Sequence, residues 1–235
     1  MALTLYLHPL SSYCHKVLLA LYENQTPFKP QLVNLGDSKE RAAFIAMWPT
    51  GKIPLLRDDG AARIVPETSI IIEYLDRHYP GAQPLLPADE ATQLEARLWD
   101  RLFDTYVMTP MQNIVATHLG PTSEAQAQVN VATIAEATAV LKIAYDMIER
   151  QMADKTWAVG KHFSIADCAA APALFYASIV VPFAQSHRHL AAYFERLMAR
   201  ASVKRVIAEA RPYFHLFPLK QAIPARFLSD QPSAA

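Results

Sequence analysis

The sequence predicts two unlike parts, a small α/β unit followed by an all-helical one. Three observations carry this. Short strand-like and helix-like patterns alternate through the first eighty residues. Proline then interrupts Tyr79-Pro80-Gly81-Ala82-Gln83-Pro84-Leu85-Leu86-Pro87 three times. Beyond about Ala88 only long helical spacings follow. The expected division is an α/β domain over 1–79, a linker over 80–90, a helical domain over 91–215 and a tail over 216–235.

Taken in order, Leu3 to His8 alternates as a strand, and Ser12 to Tyr22 carries Val17, Leu18 and Leu21 at helical spacing. Phe28 to Leu35 reads as a second strand and Lys39 to Met47 as a short helix. Leu55 to Arg57 and Arg63 to Val65 flank Asp58-Asp59-Gly60, a hairpin signal. Thr68 to His78 is a helix with apolar residues at 70, 71, 74 and 75. The order strand-helix-strand-helix-strand-strand-helix matches the thioredoxin fold, although periodicity alone specifies only a small α/β unit.

In the second part, Ala91 to about Met108 and Glu124 to Met152 have helical spacing, with Pro110 and Gly120-Pro121 as breakers. Ser164 to Pro182, His187 to Ala199 and Ser202 to Ala210 follow as helices. Residues 229–235 read as a loose polar tail.

Composition narrows the function classes. Hydrophobic residues make up 52% and charged residues 19% of the 235, which is globular. Lys+Arg and Asp+Glu both number 22, so no net field attracts nucleic acid or anionic lipid. Two distant cysteines, Cys14 and Cys168, exclude a disulfide framework and fit an intracellular chain. The first residues lack the positive stretch of a signal peptide. Cys168 to Ala184 carries no charge, but Pro172 and Pro182 interrupt it and it is short of the ~20 apolar residues of a membrane span. A buried core helix is expected there.

Four segments carry chemistry. His8-Pro9-Leu10-Ser11-Ser12-Tyr13-Cys14-His15-Lys16-Val17 lies where the first strand turns into the first helix, so amide N–H groups and the helix dipole favour an anion. Thioredoxin-like oxidoreductases place Cys-x-x-Cys at such a turn. Here Ser11 occupies the attacking position and Cys14 the second. A serine forms no mixed disulfide, but it can donate a hydrogen bond to a thiolate brought in by a ligand. Lowering a thiol pKa by two units takes about 2.7 kcal/mol. A hydrogen bond to a charged group supplies about 1.5–3 and a helix N-terminus about 0.3–1. One hydroxyl and the dipole therefore suffice, although Ser11 and Ser12 also serve as ordinary helix caps.

In Trp48-Pro49-Thr50-Gly51-Lys52-Ile53-Pro54-Leu55-Leu56, the Ile53-Pro54 bond is a candidate cis peptide that would leave the Ile53 backbone free to pair with a peptide. In Val65-Pro66-Glu67-Thr68-Ser69, Glu67 can accept from an ammonium, while Thr68 offers a hydroxyl and a helix-end N–H to a carboxylate, together an α-amino-acid receptor. Ser164 and Asp167 form a capping-box variant that starts the core helix, a structural role. His187-x-His189 has metal-ligating residue types but no further ligands, so no metal is expected.

These four signatures, in this order and spacing, resemble the soluble glutathione transferases over roughly residues 3 to 212. The resemblance implies the family's fold: a thioredoxin-like α/β N-terminal domain and an all-α C-terminal domain. Ser11-x-x-Cys14-x-x-Val17 looks most like the serine-type theta and phi classes. It implies that Ser11 activates the thiol of glutathione, a co-substrate, and that Ile53 pairs with its cysteinyl unit. Glu67 and Thr68 would hold its γ-glutamyl end, and Lys39 and Lys52 lie where such classes meet its glycine carboxylate. Asp104 would reach the γ-glutamyl amine across a homodimer interface.

An electrophile site is then expected between the domains, lined by Leu10, Tyr13, Phe103, Tyr106, Val107 and Met111 and closed by Tyr213 and Phe214. The resemblance further implies a cytoplasmic enzyme acting on a small apolar electrophile, without nucleic acid or membrane partners. The sequence departs from the zeta-class isomerases, whose Ser-Ser-Cys is followed by an arginine three residues on. Here Tyr13 intervenes and Lys16 takes the basic position. Tyr6 and Ser12 are alternative activating groups. Isomerisation, dehalogenation, ether cleavage or peroxide reduction are alternative uses of the same thiolate, and a non-catalytic glutathione- or ligand-binding module is the rival of a different class.

Overall fold

The computed structural model describes residues 3–120 and 123–229. The expected breaker Pro121 and the polar tail beyond Ser229 lie outside the described residues.

The first domain is built on β1 (Leu3–Leu7), β2 (Lys29–Leu32), β3 (Leu55–Asp58) and β4 (Arg63–Val65), ordered β2-β1-β3-β4. β1 runs parallel to β2 and antiparallel to β3, with Leu5 opposite Pro30 on one side and Leu56 on the other. Its central position explains its apolar composition: Leu3, Leu5 and Leu7 are buried. β2 is an edge strand, where Pro30 is tolerated because one side has no ladder to supply. It is shorter than the 28–35 pattern suggests. The helices are α1 (Ser12–Glu23), α2 (Ser38–Met47) and α3 (Thr68–His78). This is the expected thioredoxin-like arrangement.

The second domain comprises α4 (Glu90–Leu102), α5 (Thr109–Ala116), α6 (Glu124–Gln151), α7 (Ile165–Val180), α8 (Arg188–Ala199) and α9 (Ala201–Ala210). Pro110 does not break the path after Met108 as expected. Residues Phe103–Met108 widen into a π-helical segment, and Pro110 falls in the first turn of α5. An α-helix would need the Pro110 N–H to bond the Tyr106 carbonyl, and proline has none. The wider turn instead directs the Thr109 N–H to the Asp104 carbonyl, which also accepts from Thr109 Oγ1 at 2.9 Å. Such segments often lie at functional sites.

α7 is the apolar stretch that invited comparison with a membrane span. It is a core helix, buried along nearly its whole length and packed on α1 and α4. Its start is the anticipated capping box. The buried Asp167 carboxylate accepts from Ser164 N and Ala158 N, both at 2.9 Å, and from the Tyr193 hydroxyl at 2.6 Å. Among the described residues no helix is long and apolar enough to cross a membrane.

The expected tail boundary at 216 is incorrect. Phe217, Ile223 and Phe227 are buried in the core, carried by 3-10 turns at Arg211–Leu216, Lys220–Ala222 and Ala225–Phe227. Pro212, Pro218 and Pro224 cut the segment into pieces too short for any helical or strand period to show.

The domains are joined by buried charge as well as by apolar packing. Lys16 of α1 is fully buried, its Nζ 2.6 Å from Asp100 Oδ1 and 2.7 Å from Asp104 Oδ2. Ser69 of α3 accepts from Lys16 at 3.0 Å and donates to Asp100 Oδ2 at 2.6 Å. Nearby, Arg97 of α4 grips Glu73 of α3 with two 2.9 Å bonds.

Candidate active site

Two cavities meet the N-terminus of α1. One, of about 310 Å³, is polar. Its first-domain wall includes Lys52, Ile53, Pro54, Glu67 and Thr68, and Ile53-Pro54 is cis. Its second-domain wall includes Arg101, Asp104, Thr105 and Thr109, with Tyr13 facing the same space. The other, of about 350 Å³, is mostly apolar, with Leu10, Met111, Val115, Tyr176 and Phe217 in its wall. Ser11 and Ser12 line this second cavity, while the next residue, Tyr13, lines the first.

Ser11 is the N-cap of α1, with extended backbone (φ −75°, ψ 120°), and its Oγ accepts from Cys14 N at 3.4 Å. The Ser11 N–H donates to the His8 carbonyl at 2.9 Å. Behind it, burial pushes the Cys14 thiol up to about 12, so Cys14 is no nucleophile. Ser12 is buried, and its Oγ accepts from Gln112 Nε2 at 3.3 Å. The Tyr6 hydroxyl accepts from Arg57 at 2.6 Å and its ring packs on Phe44 of α2, which sets it apart from both cavities.

Glu67 enters α3 with φ 66° and ψ 122°, a backbone region that non-glycine residues rarely adopt. Its side chain is exposed at the cavity wall, and Thr68 follows, buried, at the helix start. Asp104 Oδ1 is buried with no hydrogen-bond partner among the described residues. Burial raises the Asp104 carboxyl above its usual range, with Lys16 opposing and Asp100 reinforcing the shift. Lys16 is held above its ordinary range because its two carboxylate partners outweigh the burial that works against its charge. Burial likewise raises the Tyr13 phenol, with Asp104 adding to it.

Lys52, Ile53, Glu67, Thr68 and Asp104 therefore surround one space. Asp104 lies in the wall of its own chain's cavity. Lys39 is exposed in the first turn of α2 and is not among the cavity-lining residues.

The expected electrophile set needs more revision. Leu10 and Met111 line the apolar cavity. Phe103 and Val107 are completely buried in the core, and Phe214 is buried with its ring stacked on Phe175 at 6.3 Å. Tyr13 faces the polar cavity instead, Tyr106 is half exposed on the π-helical segment, and Tyr213 packs edge-on to His8 at 5.1 Å. A stripe at 103, 107 and 111 is helical spacing, and helical spacing marks a buried face before it marks a pocket.

Sequence reasoning missed Arg101, Thr105 and Thr109 in the polar wall and Gln112, Val115, Leu119, Tyr176, Leu216 and Phe217 in the apolar one. Val115 and Leu119 continue the spacing from Met111 and could have been found. Leu216 and Phe217 carried no signal.

A thioredoxin-like domain and a helical bundle meeting at paired polar and apolar cavities define a two-domain, glutathione transferase-like class of protein. The glutathione S-transferase N-terminal domain profile matches residues 5–83 and the C-terminal domain profile residues 107–201. The chain belongs to the glutathione S-transferase family. It is 29% identical over 167 residues to the glutathione S-transferase-like protein LUC7 of Fusarium sp., covering 69% of this chain and 73% of that protein. It is 27% identical over 201 residues to glutathione S-transferase GstB of Escherichia coli K12, covering 84% and 93%. The crystal structure of a glutathione S-transferase from Methylobacillus flagellatus KT with GSH bound aligns with a TM-score of 0.76 at 25% identity, covering 87% of this chain and 98% of that one.

Proposed function

We propose that this protein is a glutathione transferase that holds glutathione in the polar cavity and turns its thiol into a thiolate at Ser11. The thiolate then attacks an apolar electrophile in the adjoining cavity. The observation that carries this reading is the placement of the α1 N-terminus: Ser11 and Ser12 border the apolar space and Tyr13 the polar one. A thiol reaching from the polar cavity past Tyr13 meets a hydroxyl and a helix N-terminus together. Held there beside a bound electrophile, it reacts within one complex, which lowers the barrier by proximity.

The remaining roles follow from residue chemistry. The exposed carboxylate of Glu67 and the free Oδ1 of Asp104 receive the γ-glutamyl ammonium, and Thr68 at the start of α3 receives its carboxylate. Ile53 pairs through its backbone with the cysteinyl unit, and Lys52 meets the glycine carboxylate. Arg101, on the same wall, adds a second cation.

The protein functions as a homodimer in the cytoplasm. Leu94 and Leu98 stand 68% and 60% exposed one turn apart on α4, and Ile70 of α3 is 54% exposed. Their exposure supports the reading that a second copy covers this face. Both cysteines are free and buried, which suits a reducing compartment.

The test is a pH titration of thiolate absorbance for protein-bound glutathione, in wild type and Ser11→Ala. The expected wild-type thiol pKa lies well below 8.5 and returns toward about 8.5 in the variant. A depressed value that survives the substitution moves the role to Ser12 or the backbone donors. Absence of saturable glutathione binding overturns the reading.

A further inference from the structure

The loop that presents Ser11 is held by two side chains through consecutive carbonyls. The Pro9 carbonyl accepts from His15 Nε2 at 2.5 Å, and the Leu10 carbonyl accepts from the Tyr176 hydroxyl at 2.9 Å. His15 belongs to the helix into which this loop leads. Tyr176 comes from α7, in the other domain.

Tyr176 occupies a core position in an otherwise alanine-rich, apolar helix and is 2% exposed. Its ring packs against Phe175 at 5.0 Å, Phe217 at 5.5 Å and His15 at 5.7 Å. Packing alone would be served by phenylalanine. A buried hydroxyl needs a partner, and here the partner is the carbonyl of the peptide that joins Leu10 to Ser11. Because that peptide is planar, fixing its C=O also fixes the Ser11 N–H and restricts the directions open to the Ser11 side chain. The Ser11 N–H is itself bonded to the His8 carbonyl, so the peptide is held at both ends. Burial also raises the Tyr176 phenol, which keeps it a hydrogen-bond donor throughout the working pH range.

We propose that Tyr176 is a positioning residue for the thiol-activating step: through the Leu10 carbonyl, the core helix of the second domain sets the orientation of the Ser11 hydroxyl. The inference rests on the proposed role of Ser11. Tyr176 also forms part of the apolar cavity wall, so the group that aims the activating hydroxyl is shared with the space proposed for the electrophile.

Tyr176→Phe and Tyr176→Met remove the hydroxyl while keeping an apolar side chain. Phe175→Leu disturbs the same core without touching the Leu10 carbonyl. In both Tyr176 variants the bound thiol pKa rises by about 0.5–1 unit and kcat below that pKa falls about three- to tenfold, the equivalent of one displaced hydrogen bond. KM for glutathione stays within about twofold, because the polar cavity is intact. Phe175→Leu lowers the midpoint of thermal unfolding and leaves the thiol pKa in place. If the Tyr176 variants lose stability but keep the wild-type thiol pKa and kcat, Tyr176 is a packing residue only and the inference is overturned. If Ser11→Ala leaves the wild-type thiol unaffected, the reading of Ser11 fails first, and this inference with it.

Discussion

Lys16 on the first helix and Asp104 on the π-helical segment meet at 2.7 Å in the seam between the domains, and the same carboxylate turns its second oxygen, unpartnered, within the wall of the polar cavity. Its Oδ2 neutralises a buried ammonium, and its Oδ1, likewise buried, has no partner among the described residues. Asp100 completes the charge balance around Lys16 at 2.6 Å.

Lys16→Met leaves two buried carboxylates facing each other without a cation. Removing one partner of a buried ion pair is far more damaging than the net value of the pair, and a loss of about 3–5 kcal/mol is expected. Urea unfolding at pH 7 measures it. A loss below about 1 kcal/mol would mean that water or protons take over the role of Lys16.

His15 gives stability an acid limb. Burial pushes its imidazole down to about 4, with the Pro9 carbonyl opposing. Its unfolded value is about 6.5, so the unfolded chain binds the extra proton between these limits. The stability that a neutral His15 contributes is complete above about pH 6.5 and lost as pH falls toward 4, about 3 kcal/mol in all. His15→Asn flattens the wild-type slope of unfolding free energy against pH in that window. Equal slopes in the two proteins would refute the assignment.

Glu67 combines the carboxylate proposed to hold the γ-glutamyl end with an unfavourable backbone. Glu67→Gln keeps the side-chain shape and removes the charge, and glutathione binding weakens about tenfold by calorimetry with stability little changed. Glu67→Gly weakens binding as well but relieves the positive φ, raising stability by about 1 kcal/mol. Glycine failing to stabilise would show that the surroundings, not the residue, set the local geometry.

Leu98→Glu places a charge in the exposed apolar stripe of α4. In sedimentation velocity the wild type is expected at twice the chain mass and the variant at the chain mass, with the far-ultraviolet dichroism unchanged. A wild type that sediments as a monomer removes the proposed dimer.

Much of this protein was legible without coordinates because its signals are local. The capping box at Ser164 and Asp167, the turn around Asp58-Asp59-Gly60, the Ile53-Pro54 segment and the Ser11 cap each depend on residues a few positions apart. Their geometry is dictated by backbone chemistry that any reader of the sequence can apply. Glu67 and Thr68 could be read as a receptor because they stand at the entry to α3, whereas Lys52 followed only from the family resemblance. The same approach failed on the electrophile wall. Phe103 and Val107 show the spacing of a helical face, but that face is buried, and the π-helical segment further changes the phase around them.

By itself, the sequence determined the element order, the position of the strand-to-helix turn that carries Ser11 and the polar side chains at the start of α3, since these follow from short-range spacing and capping. Tertiary structure alone decided which domain holds the Leu10 carbonyl, how Lys16 is neutralised, and which of many apolar residues face a cavity. Those outcomes depend on contacts between residues far apart in sequence, such as Leu10 and Tyr176, 166 positions apart. No local pattern encodes them, because apolar burial is non-directional and selects partners only when the whole chain has packed.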